Sequence, residues 1–93
     1  MTTGNDQPNP GRLCIAILDR GWVFVGRVTE QPGSVTIAGA DCVRRWGTER
    51  GIGQLALNGP TKNTKLDPAG TVTVPRTAIV ALIDAAEASW PGR

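Results

Sequence analysis

Leu13-Cys-Ile-Ala-Ile-Leu18 is an unbroken apolar run with β-branched members, cut by Asp19-Arg20-Gly21 and followed at once by Trp22-Val-Phe-Val-Gly-Arg-Val28. Two short apolar segments around a glycine-bearing break predict a hairpin, because glycine supplies the positive φ that a tight connection needs. A first strand with no polar alternation is covered on both faces, so it belongs in the middle of a sheet. Gly26, inside the second run, marks a bulge or the close approach of another backbone. Twelve glycines and seven prolines in 93 residues cut the remaining chain into short pieces, which suits strands and tight turns better than a helical bundle.

Gln31-Pro32-Gly33-Ser34 is the next turn, with Pro32 fixing φ and Gly33 at the position that other residues avoid. Val35-Thr-Ile-Ala38 then returns as a third strand. After Gly39 the chain resumes as Cys42-Val-Arg-Arg-Trp46, whose alternation sets Val43 and Arg45 on one face and Arg44 and Trp46 on the other. A short helix is predicted over about 49–58. Thr48 is its N-cap, Ile52, Leu55 and Ala56 recur at helical spacing, Gly59 suits the C′ position and Pro60 forbids continuation. Gly51 and Gly53 each cost that helix about 1 kcal/mol relative to alanine, which points to something approaching its backbone. Asp67-Pro68-Ala69-Gly70 predicts a turn between Leu66 and the alternating Thr71–Val74, hence a second hairpin. Ile79, Leu82, Ile83, Ala86 and Trp90 fit one helical stripe over 76–90, while Ala78–Ile83 also reads as a buried strand.

These elements make one α+β, β-rich domain over 12–93: a small antiparallel sheet of about five to six strands, one short central helix and a short C-terminal helix. Residues 1–11 are polar and proline-bearing and are expected to form a disordered tail. They lack the features of a secretory signal, and no apolar run is long enough to span a bilayer, so a cytoplasmic location without membrane contact is expected. Cys14 and Cys42 sit in apolar surroundings with no Cys-x-x-Cys spacing and no histidine in the chain. They read as reduced thiols rather than metal ligands.

Charge is concentrated. Arg44, Arg45, Arg50, Lys62 and Lys65 oppose Glu49 alone between positions 44 and 65, a local balance of +4 in a chain of net +2. That total is too small for a general nucleic-acid binder but suits a small anion. The start of the predicted helix would hold a phosphate on the amides of Gly47-Thr48-Glu49 and on the Thr48 hydroxyl. Arg44 or Arg45 would pair with its oxygens. Trp46 offers a stacking face worth about 1–3 kcal/mol to a nucleobase, and Lys62, Asn63, Thr64 and Lys65 would close the other side. Trp22 is expected in the core or a subunit contact, and Trp90 as a clamp on the C-terminal segment.

Gly51-Ile-Gly-Gln-Leu-Ala56 matches Gly-x-Gly-x-x-Ala, but Arg44–Arg50 precedes it where a dinucleotide fold needs an apolar strand. Lys62 near Gly59 lacks the spacing of a P-loop. With no histidine, no tyrosine and no clustered carboxylates, a non-enzymatic role without metal or cofactor is expected.

The succession of a Val/Ile-rich hairpin, Val43-Arg-Arg-Trp46, Gln54-Leu-Ala56 and Gly59 resembles a family of small uncharacterised phage and prophage proteins, in which an Arg–Trp strand end leads into a Leu-Ala-x-x-Gly helix. The resemblance covers about residues 13–88. It implies a strand over 77–82 and a helix over 84–90, against the bare periodicity. In size and kind the chain is also similar to phage proteins that sequester the nucleotide signals of bacterial immunity, cyclic oligonucleotides and cyclic ADP-ribose isomers. That likeness implies a homo-oligomer that holds a small anionic nucleotide in the host cytoplasm without turning it over. The alternative is a protein-interaction module that presents Trp22 and Trp46 to a host or phage partner. Binding of single-stranded nucleic acid would need more cations along a groove.

Overall fold

The structure of the protein, a computed structural model, describes residues 11–93, so the expected tail lies outside it except for Gly11. Five strands form one antiparallel sheet in the order β4-β3-β2-β1-β5. They are β1 (Arg12–Leu18), β2 (Val23–Gln31), β3 (Ser34–Arg45), β4 (Lys65–Pro75) and β5 (Ile79–Asp84), with an α-helix, α1 (Ile52–Asn58), between β3 and β4. The β-rich α+β reading holds.

β1 lies between β2 and β5 and is buried on both faces, as its apolar run predicts. The β1–β2 hairpin closes through a 3-10 turn, Asp19–Gly21, with Arg20 at φ 62° and Gly21 at φ 85°. Gly33 turns β2 into β3 at φ 79°. Gly26 marks a shift of register against β3, and a Cβ there would press on Ile37 and the backbone of Ala38. The third strand is longer than expected. Residues 35–38 and 42–45 are one strand carried past Gly39 by a bulge.

Two expectations fail here for physical reasons. Asp67-Pro68-Ala69-Gly70 makes no turn: Asp67 pairs with Cys42, Pro68 with Asp41 and Gly70 with Ala40, so the extra residue is absorbed as a bulge. Among the described residues β4 has no second neighbour, and an edge tolerates both a proline and a bulge. The C-terminal helix is replaced by one 3-10 turn, Glu87–Ser89. The amides of Ala85 and Ala86 donate to Leu13 and Ala56 carbonyls at 2.9 Å each, and Pro91 follows too soon for an α-helix to propagate. The 76–90 stripe is likewise a strand over Ile79–Asp84, close to the 77–82 that the family resemblance implies.

The sheet is coiled. Pro75 pairs with Ser34 at the end where β2 turns into β3, whereas Ile79 pairs with Leu18 at the opposite end. In a flat sheet β4 and β5 stand four spacings of about 4.8 Å apart, yet the chain from 75 to 79 reaches about 14 Å at most. The inner face encloses Cys14, Ala16, Leu18, Phe24, Val28, Val35 and Ile37, with Val72, Val74, Ile79 and Leu82 from the two edge strands packed against them. The outer face carries Leu13, Ile15, Val23, Val25 and Val43, and Leu55, Ala56, Ala85 and Trp90 cover it. α1 is thus held by docking Leu55, which is fully buried, on the sheet. The C-terminal segment in turn satisfies the helix carbonyls of Ala56 and Leu57 through Ala86, Ser89 and the Trp90 indole. Trp90 does clamp that segment.

Candidate functional site

Gly47 brings the expected site residues to one corner of the molecule. At φ 70° it reverses the chain after β3, and a Cβ there would collide with the backbone of Asn63 and Thr64. Threonine hydroxyls stitch the two segments together. Thr64 donates to the Trp46 carbonyl and Thr61 to the Gly47 carbonyl, each at 2.7 Å. Thr61 and Thr64 also bond each other, the Thr61 amide donating to the Thr64 hydroxyl at 2.8 Å. Across β3 and β4, Arg45 and Lys65 are register partners. Arg45, Trp46, Lys62, Asn63 and Lys65 are exposed around this junction.

The phosphate cradle expected at Gly47-Thr48-Glu49 is not a helix N-terminus. α1 begins at Ile52 because Gly51, at φ 86° and ψ −168°, interrupts the helical path. Thr48 makes no cap; its hydroxyl donates to the Gly51 carbonyl at 2.7 Å, and the Arg50 amide donates instead to Gln54 Oε1 at 2.9 Å. The unpaired helical amides therefore start three residues beyond the expected place, and the dipole no longer points at Thr48.

The arginines divide. Arg44 forms a two-point ion pair with Asp67, Nε to Oδ2 at 2.7 Å and Nη2 to Oδ1 at 3.3 Å. That guanidinium holds the Asp67 carboxyl below the ordinary carboxylate range. Among the described residues Arg45, Arg50, Lys62 and Lys65 make no ion pair, so the local positive charge persists after Arg44 is matched. Trp46 is 42% exposed and Trp22 56% exposed. Trp22 is not a core residue: its ring lies parallel to Phe24, centroids 6.1 Å apart, on the rim of the coiled sheet. Alternation with the buried Val23 and Val25 is the signal that could have placed Trp22 on the other face with Phe24.

Two open concavities lie elsewhere. One of about 480 Å³ is bounded by Arg12, Thr29, Glu30 and Glu87, the other of about 430 Å³ by Gly26, Arg27, Gly39, Asp41 and Arg93. Their charges are matched internally: Arg12 with Glu30 and Asp84, Arg27 with Glu87, and Arg93 with Asp41. Cys14 is buried with its thiol on Asp84 Oδ1 at 3.4 Å, and burial pushes its pKa up, the opposite of an activated nucleophile. Cys42 is also a free thiol. No helix among the described residues is long and apolar enough to cross a membrane.

No known protein family, no characterised protein and no solved structure matches the chain. The functional reading therefore rests on the corner itself.

Proposed function

We propose that the protein is a non-enzymatic binder of a nucleotide-type anion, which it takes at the corner where β3, α1 and the 61–65 loop meet. One observation carries the reading: an exposed indole, Trp46, stands on a junction tied to the 61–65 loop and shared with Arg45, Lys62 and Lys65, three cations without ion-pair partners among the described residues. Indole and cation together are what a base and its phosphate require. The site is open rather than enclosed, so tight uptake needs a second wall. A homo-oligomer, with the corner of one subunit facing its partner, supplies one. The finer proposal is that the ligand is a cyclic nucleotide or cyclic ADP-ribose-type immune signal, sequestered by a protein of phage kin in the host cytoplasm.

Titration calorimetry with cyclic di- and trinucleotides and cyclic ADP-ribose isomers tests this, followed by heat release and analysis of what was bound. The expected result is one class bound and recovered intact, with Trp46→Ala weakening it about 10- to 100-fold. Recovery of altered ligand would identify an enzyme, and failure of the whole panel to bind would remove the nucleotide reading.

The exposure of Trp22, Leu57 and Val80, at 56%, 64% and 67%, favours a second reading as a protein-interaction module. It predicts that Trp22→Ala and Trp46→Ala both abolish a partner complex and leave nucleotides irrelevant.

A further inference from the structure

The proposed corner uses Trp46 and leaves Trp22 without a role, yet the pairing of β2 with β3 sets both at the same end of the sheet. Phe24 pairs with Cys42 across β2 and β3. Trp22 lies two residues before Phe24 in extended conformation, φ −70° and ψ 134°, and Arg44 two residues beyond Cys42 in β3, so both follow the last rung of that ladder at the same end of the sheet. Trp46 is two residues beyond Arg44. One face of the Trp22 indole is laid on Phe24, the rings 3° from parallel, and Phe24 is itself buried in the inner cluster. The ring is therefore backed by a buried residue while Trp22 remains 56% exposed. Among the described residues the two indoles make no ring contact with each other.

Arg44 stands at this same end, two residues before Trp46, and Asp67 fixes how it is presented. The carboxylate takes Nε and Nη2, leaving Nη1 without a hydrogen bond among the described residues and the plane of the guanidinium set. A guanidinium oriented in this way is prepared for a phosphate oxygen, because the ordering cost has already been met within the protein.

We infer that the ligand carries two bases joined through phosphate, and that Trp22 and Arg44 hold the half that Trp46 does not. Trp22 stacks the second base, Arg44 donates from Nη1 to the linking phosphate, and Asp67 is a positioning residue. Arg45, Lys62 and Lys65 hold the remaining charge near Trp46. This inference rests on the nucleotide reading above and narrows it to dinucleotides, linear or cyclic.

The test titrates the full chain with cyclic di-AMP, linear pApA, AMP and inorganic phosphate. Both dinucleotides are expected to bind at least tenfold tighter than AMP, and phosphate least. Trp22→Ala should weaken the dinucleotides about 10- to 100-fold and leave AMP unchanged, while Trp46→Ala weakens all three nucleotides. Trp22→Leu, which keeps apolar contact with Phe24 but cannot stack, should behave as Trp22→Ala, with circular dichroism confirming the fold. If Trp22→Ala leaves the dinucleotides unchanged, or weakens AMP equally, the two-base site is overturned although nucleotide binding stands. If the chain's mass by light scattering falls on Trp22→Ala, the ring serves a subunit contact and the inference is likewise overturned. Failure of all three nucleotides to bind at millimolar concentration removes the nucleotide reading itself.

Discussion

Gly47 decides whether the corner exists. No side chain fits between it and the 63–64 backbone, and its φ of 70° lies where other L-residues are strained. Gly47→Ala is therefore expected to destabilise the fold by about 2–3 kcal/mol. Urea unfolding should show a lower midpoint with an unchanged slope; an unchanged midpoint would mean that the loop shifts freely and that the corner is not rigid. The residue was legible in sequence as part of a charged, aromatic stretch. What packs against it was not, because Asn63 and Thr64 reach it only through the pairing of β3 with β4. Thr48 shows the converse failure. Its position matches an N-cap, but Gly51 adopts a positive φ and breaks the path the cap would start, so the hydroxyl turns to the Gly51 carbonyl instead.

At the scale of elements, the hairpins and the middle strand followed from local chemistry: apolar runs, and glycines at the turns that need them. The errors fell where tertiary pairing outweighs local preference. Pro68 and Gly70 carry a turn signal, yet β3 offers a ladder that a bulge can join. Ile79–Ile83 satisfies helical and strand spacing equally, and the open edge of β1 decides for the strand. The two helix glycines also part company. Gly51 needs its φ of 86°, but Gly53 has ordinary helical geometry and open space around its Cα. Gly53→Ala is accordingly expected to stabilise the protein by about 0.5–1 kcal/mol, measurable as a raised thermal midpoint. If ligand affinity falls in the same variant, something does approach the α1 backbone at Gly53. If affinity holds, that glycine is a local weakness with no part in binding.

At the scale of the whole molecule, coiling the sheet brings distant charges into register, and no sequence window contains that information. Glu30 on β2 meets Arg12 on β1 at 3.7 Å and Arg76, just past β4, at 2.8 Å. Arg27, in the middle of β2, grips the C-terminal segment through both Glu87 oxygens, at 2.6 and 2.7 Å. Like Asp67 beside Arg44, Glu87 is held below the ordinary carboxylate range by its arginine. A carboxyl depressed in the folded state binds its proton later than the unfolded chain, whose glutamates titrate near about pH 4.3. The stability from each pair is thus complete above that value and is lost as pH falls through it towards the lower folded value. The thermal midpoint should be flat near neutrality and decline below about pH 4.5. Because both partners keep contact with water, the effect of one pair is modest. Glu87→Gln should lower the midpoint at pH 7, decline less steeply, and converge with the parent once the pH falls below the depressed folded value of Glu87, where that carboxyl is protonated. Melting curves by circular dichroism over that range decide it. Parallel declines would show that Arg27 and Glu87 are not paired in solution and that the C-terminal segment is held by its other contacts, those of Ser89, Trp90 and Arg93.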